Sequence, residues 1–557
     1  MRVVSSIWWW CLCVLFSSCA NVPAPAGPEL VADLCVYGAT SAGVVAALQA
    51  RDAGRSVVLV DSDGWVGGLS TSGLGATDIG NKAAIGGLSR EFYRRIRRHY
   101  DTDAAWTNEA RSAFRGHGHE AGSDTAWTFE PKVAMAVLTA MLDERGVVPL
   151  RARLDRGPLG VDKVGTRLRG IRCEDGTRIR ARVFLDCTYE GDLLDAAGCS
   201  FTVGRESNAA YGETLNGVQT QNARFHQFAG RVDPYVVPGQ PQSGLLPGID
   251  PKGPGVEGCA DARVQAYCFR LCATDDPKNR LPWPRPDGYD PRDYELLLRH
   301  FEAGSTLAPW HPVRMPNRKT DSNNNGGVST DWIGQNYAWP TADYARRARL
   351  TAEHRRYQQG LLWTLANNPR VPAKVREEFQ RYGLAKDEFQ GSEHWPPLLY
   401  VREGRRLLGE AVVTEHQCMG RQPHEDPVGM GAYAMDSHHV QRYVAADGSV
   451  RNEGDVQVKV PQPYGISFRA LLPKRAEVDN LLVPVCVSAS HIAFGSIRME
   501  PVFMVLAQSA AVAAHLAIER DLAVQDVPYV DLRERLLALG QVLVWTPPAK
   551  QASAPAR

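Results

Sequence analysis

Three groups of residues carry chemistry by their types and spacing. The first is Gly38-Ala39-Thr40-Ser41-Ala42-Gly43, followed at a distance of about 20 residues by Asp61. Glycines at the two ends of such a run allow a sharp turn and a close helix-to-strand approach. The first N–H groups of the helix are then left to bind a pyrophosphate, and the acid accepts ribose hydroxyls. Thr40 occupies the middle-glycine place of G-x-G-x-x-G, where a side chain either crowds the phosphates or donates its hydroxyl to one. The second group is Ser62 with Gly67-Gly68-Leu69-Ser70-Thr71. The third lies near the end of the chain: Ser488, Ser490, His491, Gly495, Ser496, Arg498 and Met499. Histidine titrates at about 6.5, which suits His491 to take a proton from an alcohol as hydride leaves, with Tyr337 and His438 the next candidates. Arg498 could stabilise an anionic reduced cofactor or hold a substrate carboxylate.

These residues need elements to position them. Leu34 to Tyr37 reads as a strand, and the segment opened by Gly43 as a helix with Val44, Val45, Ala47 and Leu48 on its apolar side. Gly54 stops that helix, and Ser56 to Val60 is a second strand that delivers Asp61, completing a βαβ unit. Phe129 to Asp143 is expected to be helical, with Pro131 in its first turn and Gly146 as its stop. Val147 to Asp186 alternates like an antiparallel excursion turning at Asp175-Gly176, and Val183 to Leu185 returns as an apolar strand. Leu481 to Val487 reads as a buried strand, a glycine turn follows at Gly495, and the last helix has Pro501 near its start. Ser322 to Gly327 reads as a loop, and Arg402, Arg405 and Arg406 as a basic patch.

The pair Gly67-Gly68, placed after the acidic strand, resembles the two-dinucleotide-domain flavoproteins of the glutathione reductase type, where such a pair lies along FAD. That resemblance makes Asp186-Cys187-Thr188 the return strand, with Thr188 beside the cofactor. It also brings the N-terminus of the last helix to the flavin pyrimidine, with Ser488 or Ser490 in place of the usual aspartate. Over nearly all of the mature chain, YGATSAGVVAA, LDCTYEGDLL, SNNNGGVSTDWIGQNY and SASHIAFGSIRMEP resemble the FAD-dependent oxidoreductases of environmental bacteria. These are distantly similar to the flavoproteins of the heterodisulfide reductase type, and some relatives carry the label xanthan lyase. The resemblance implies an α/β, Rossmann-like FAD-binding domain assembled from discontinuous segments, with an inserted α+β substrate domain. FAD is the implied cofactor, held by residues 38–43, Asp61, Ser62, Gly67, Gly68, Leu69, Ser70, Thr188, Ser488, Gly495, Ser496 and Met499. The implied chemistry is hydride transfer with a small or sugar-like substrate, the electron acceptor being left open. A lipid-anchored glycan-binding protein with structural FAD and a carbohydrate lyase are the rival readings.

Composition bounds the rest. The 557 residues are 44% hydrophobic and 22% charged with a net charge of +1, an ordinary globular balance that argues against a nucleic-acid partner. Arg2, the apolar run Ile7 to Phe16 and Ser17-Ser18-Cys19 resemble a lipoprotein export signal, with Cys19 as the lipidated residue and membrane attachment point. The expected division is 1–19 signal, 20–29 tether, 30–200 first FAD part, 201–470 substrate domain, 471–545 last FAD part and 546–557 disordered tail. The location implied is periplasmic or cell-envelope. Cys259, Cys268 and Cys272 match no iron–sulfur or zinc spacing, and the histidines are poorly spaced for a metal, so none is expected.

Overall fold

The computed structural model describes residues 27–547. The signal, Cys19, the tether up to residue 26 and the tail from residue 548 lie outside the described residues. Strand β1 (Glu29–Tyr37) begins opposite Arg178, so the ladder already includes the last residue of the expected tether. Helix α1 (Ser41–Asp52) links it to β2 (Val57–Asp61), which runs parallel to β1 with Leu34 opposite Val57 and Tyr37 opposite Val60. Helix α2 (Gly87–Tyr100) and α3 (Pro131–Asp143) follow, and Pro131 sits where a helix N–H has no intrahelical partner to lose. The short β3 (Leu150–Arg151) pairs with β2. Then β4 (Val161–Val164), β5 (Arg167–Arg172) and β6 (Arg178–Asp186) form the antiparallel excursion, and β6 returns parallel to β1.

The sheet order is β3-β2-β1-β6-β5-β4, with Leu481–Leu482 added in parallel to β6. This is the Rossmann-like FAD-binding architecture expected from the sequence. Because β1 lies between β2 and β6, a crevice opens at the carboxyl ends of the three strands, where such sheets bind ligands. The strand expected over Leu481 to Val487 keeps its ladder for two residues only. Pro484, with no N–H to give, ends it.

Leu34 and Val36 pack on one face of the sheet against α1 and the helix Glu500–Arg520. Cys35, Tyr37 and Phe184 pack on the other with Leu193 and Cys486. The helix Glu500–Arg520 has membrane-like hydropathy, but 94% of that stretch is buried, so its apolarity serves the core. Between the sheet segments lies a five-stranded antiparallel sheet with the helices Tyr344–Asn367 and Ala373–Arg381, an α+β insertion. Its strand Lys319–Asn324 pairs with Trp310–Met315, so the polar run expected as a loop is ladder as far as Asn324, and the loop begins at Asn325.

Lys319 is fully buried, with its ammonium 2.7 Å from Glu130, 2.7 Å from Asp387 and 2.6 Å from Glu388. The three carboxylates form the one acidic cluster tight enough for a metal among the described residues, and the ammonium already sits among them. Burial pushes the Glu388 carboxyl up to about 7 even beside this cation. Removing one partner of a buried ion pair typically costs about 3–5 kcal/mol. Lys319→Met should lower the unfolding free energy by an amount of that order, read as a lower denaturant midpoint at an unchanged slope, and an unchanged midpoint would contradict the buried-charge account.

Candidate functional site

The turn after β1 is set by sterics. Gly38 has φ of +100°, and a Cβ on Gly43 would lie 1.8 Å from the Gly38 carbonyl oxygen, so neither position accepts a side chain. Thr40 caps α1: its hydroxyl accepts from the Gly43 N–H at 3.3 Å and donates to the Cys187 carbonyl at 2.7 Å. Its one proton is therefore committed, and the side chain lies back against the return strand rather than acting as a phosphate donor. Ser41 and Ala42 open α1, where backbone N–H groups have no intrahelical acceptor and the helix dipole favours an anion.

The glycine pair lies on this turn. Gly67 and Gly68 have positive φ, the Gly67 N–H donates to the Ala39 carbonyl at 2.8 Å, and a Cβ on Gly68 would lie 2.3 Å from the Tyr189 hydroxyl oxygen. Thr188 backs the turn, since a Cβ on Gly38 would lie 2.8 Å from its methyl group. Asp61 accepts from the Trp65 N–H at 3.0 Å, and burial raises its carboxyl above the ordinary value. A cavity of about 220 Å³ opens at the carboxyl ends of β1, β2 and β6, lined among others by Ser62, Asp63, Thr188, Glu190 and Arg347. Burial pushes Asp63 and Glu190 upward; Asp61 and Asp192 add to it at Asp63, and Asp63 and Asp192 add to it at Glu190, where Arg347 opposes.

Beyond the glycine pair lies a buried cluster of charged side chains. Ser72 Oγ accepts from the Leu398 N–H at 2.9 Å, and Gly73 presses on Arg270, whose carbonyl oxygen a Cβ would meet at 1.8 Å. Arg270 holds Asp321 through two hydrogen bonds of 2.8 and 2.7 Å. Arg402 lies 2.9 Å from Asp331, which also takes His438 Nδ1 at 2.7 Å, while His438 Nε2 faces Asp436 at 3.9 Å. Arg498 donates to the Asp436 carbonyl at 2.8 Å and to the Tyr400 hydroxyl at 3.3 Å. Burial, then Arg402, pushes His438 down to about 3, and burial raises Asp436 to about 6. Arg402 and His438 hold Asp331 well below the usual carboxylate range, although burial opposes this.

The structure thus brings Arg498 and His438 together. His491 lies in an adjoining buried network, with Nδ1 2.8 Å from Glu403 and its own N–H on Glu206; burial pushes it down to about 3. Gln265 bridges the two networks by donating to Glu403 and accepting from the His438 N–H. The Tyr337 hydroxyl donates to the Val440 carbonyl at 2.7 Å. Gly495 lies inside the helix His491–Ile497 instead of making a turn: a Cβ there would lie 2.6 Å from the Asp436 carbonyl, so its bareness admits the Asp436 backbone. Ser488 Oγ accepts from the Gly409 N–H, Ser496 Oγ donates to the Tyr433 carbonyl, and Met499 is the N-cap of the last helix. Arg402, Arg405 and Arg406 form no surface patch; all three are buried on Asp331, Asp192 and Glu206 respectively. Asp63, Tyr189, Glu190, Asp331, Asp436 and Glu500 escape the sequence reading. Of these, Tyr189 and Glu500 were signalled, the first by its place directly after Thr188 and the second by an acid before Pro501 at a helix start.

Residues 33–536 match the family described as FAD dependent oxidoreductase. The chain belongs to that family. A search of curated proteins finds no match. Among solved structures, a flavin monooxygenase from Stenotrophomonas maltophilia, in a doubly substituted form, is 17% identical over 36% of this chain and 44% of its own, with a TM-score of 0.19. An anhydrotetracycline hydroxylase from Streptomyces rimosus is 14% identical over 38% and 39%, with a TM-score of 0.23. An L-amino acid deaminase from Proteus vulgaris is 15% identical over 37% and 55%, with a TM-score of 0.23. The chain spans less than half the length of the first two.

FAD is the cofactor, and the residues present suit it. The first turn of α1 holds no acidic residue of its own and its leading N–H groups lack intrahelical acceptors, and a cavity of about 220 Å³ opens at the carboxyl ends of the strands beside it. Gly43→Val should abolish flavin binding while the chain stays soluble. Stoichiometric flavin in the purified variant would refute this assignment of the turn.

Proposed function

We propose that this FAD-dependent oxidoreductase takes hydride from a small or sugar-like alcohol, or a related amine, beside the cluster of Asp331, Asp436 and Tyr400, with His438 as the proton acceptor. The observation that supports it is that Gly73, at the end of the glycine segment, packs on Arg270, which shares the Tyr400 ring with Arg402 at 5.7 and 4.7 Å and so adjoins the Asp331–His438–Asp436 array. FAD supplies the hydride acceptor when bound. The neighbouring carboxylate Asp331 favours the tautomer in which Nδ1 carries the proton, leaving Nε2 to take one from the substrate hydroxyl. The Asp331 charge stabilises the imidazolium as it forms, opposing in part the downward push of burial and Arg402. Arg498, paired with Asp436 and Tyr400, is placed to hold a polar group of the substrate. His438 is favoured over His491 because its side chain retains some exposure, 11% against 3%.

Anaerobic bleaching of the flavin by a library of sugars, alcohols and amines identifies the substrate class. With that substrate, His438→Asn should slow flavin reduction by about 10² to 10⁴-fold at normal FAD content. An unchanged rate would move the base to His491 or Tyr337. The pH profile is a separate check. His438 stays neutral above pH of about 3, whereas Asp436 gains its proton as pH falls through about 6 and withdraws a charge that supports the imidazolium. The reduction rate should fall below pH 6, and that inflection should vanish in Asp436→Asn.

We propose further that the chain is exported and tethered through a lipid on Cys19. Arg2, the apolar run Ile7 to Phe16 and the small residues before Cys19 support this. Wild-type protein should fractionate with membranes and Cys19→Ala should release it; soluble cytoplasmic wild type would overturn the proposal.

A further inference from the structure

Glu500 is the first residue of the helix Glu500–Arg520, is 3% exposed, and receives three hydroxyls from separate parts of the chain. Ser41, in the first turn of α1, donates to Oε2 at 2.5 Å. Ser70, in the glycine segment, donates to the same oxygen at 3.2 Å. Tyr189, after the return strand, donates to Oε1 at 2.8 Å while its own oxygen accepts from the Leu69 N–H at 3.0 Å. One carboxyl therefore joins all the segments that build the FAD turn. An acid at the first position of a helix is favoured by the helix dipole, which lets this carboxylate persist beside a phosphate site.

A serine hydroxyl has one proton and two lone pairs. With the protons of Ser41 and Ser70 spent on Glu500, both oxygens can offer only lone pairs to a ligand. Neither can donate to a phosphate, which is left to the backbone N–H groups of α1. Resting on the FAD reading, we propose that Glu500 is a positioning residue that sets the hydrogen-bond polarity of this site. It turns Ser41 and Ser70 into acceptors, which would take the ribityl hydroxyls of FAD.

The test uses the full chain stripped of flavin, the fluorescence change on adding FAD, and ADP as a competitor that has the pyrophosphate but no ribityl chain. Glu500→Gln keeps the shape, but its amide donates as well as accepts, so at least one hydroxyl must reverse. The FAD dissociation constant should rise about tenfold, the size of one hydrogen bond, while that of ADP stays within about twofold. Unchanged FAD affinity would overturn the proposal. So would an equal loss for ADP, which would make Glu500 a support of the whole turn. Should Glu500→Gln not fold, Ser70→Ala must show the same split between FAD and ADP. Failure of wild-type protein to bind FAD would count against the cofactor reading itself, an outcome separate from these.

Discussion

The architecture depends on one backbone approach. Where α1 leaves β1, Gly43 lies so close to the Gly38 carbonyl that a Cβ would come within 1.8 Å of it. This contact brings the helix start onto the carboxyl end of the strand, and the remaining parts are arranged around it. The return strand supplies Cys187 as the acceptor that ties down Thr40, the glycine pair hydrogen-bonds to Ala39, and the last helix delivers Glu500 to Ser41. Residues separated by several hundred positions meet within one turn because each of them gives up a side chain or spends a hydrogen-bonding group there.

The second organising constraint is the cost of buried charge. Arg205, Arg270, Arg347, Arg402, Arg405 and Arg406 are all buried, and each lies against carboxylates. Bidentate pairs such as Arg270 with Asp321 and Arg347 with Asp192 hold both partners in one geometry. Such pairs add little net stability, but breaking one is expensive, so they restrict how the inserted domain can sit on the sheet. The charged cluster beside the glycine segment draws its groups from five stretches of chain, around residues 270, 321–331, 400–402, 436–438 and 498, and is preorganised in this way. Within it, burial and Arg402 push His438 down while burial raises Asp436 to about 6, so two neighbouring groups are driven in opposite directions.

The local features of the dinucleotide fold were legible in the sequence because they are set by short-range sterics. Gly38, Gly43, Gly67 and Gly68, the acid ending β2, Pro131 at a helix start and the turn at Gly176 all announce backbone conformations that few other residues allow. The resemblance of the beginning, the return strand and the end supplied the family and FAD. Tertiary structure decided what depends on distant partners. Ladder pairing drew Lys319–Asn324 into a strand, and Pro484 cut another short. Thr40 proved to be a cap because Cys187 stands beside it, and three arginines read as a patch are interior because their acids come from elsewhere in the chain. Glu500 is one acid in a sequence with many; only the fold, by setting Ser41, Ser70 and Tyr189 around it, singles it out. A hydroxyl's partner and a carboxyl's proton affinity are properties of the enclosed space, and composition and spacing along the chain do not encode that space directly.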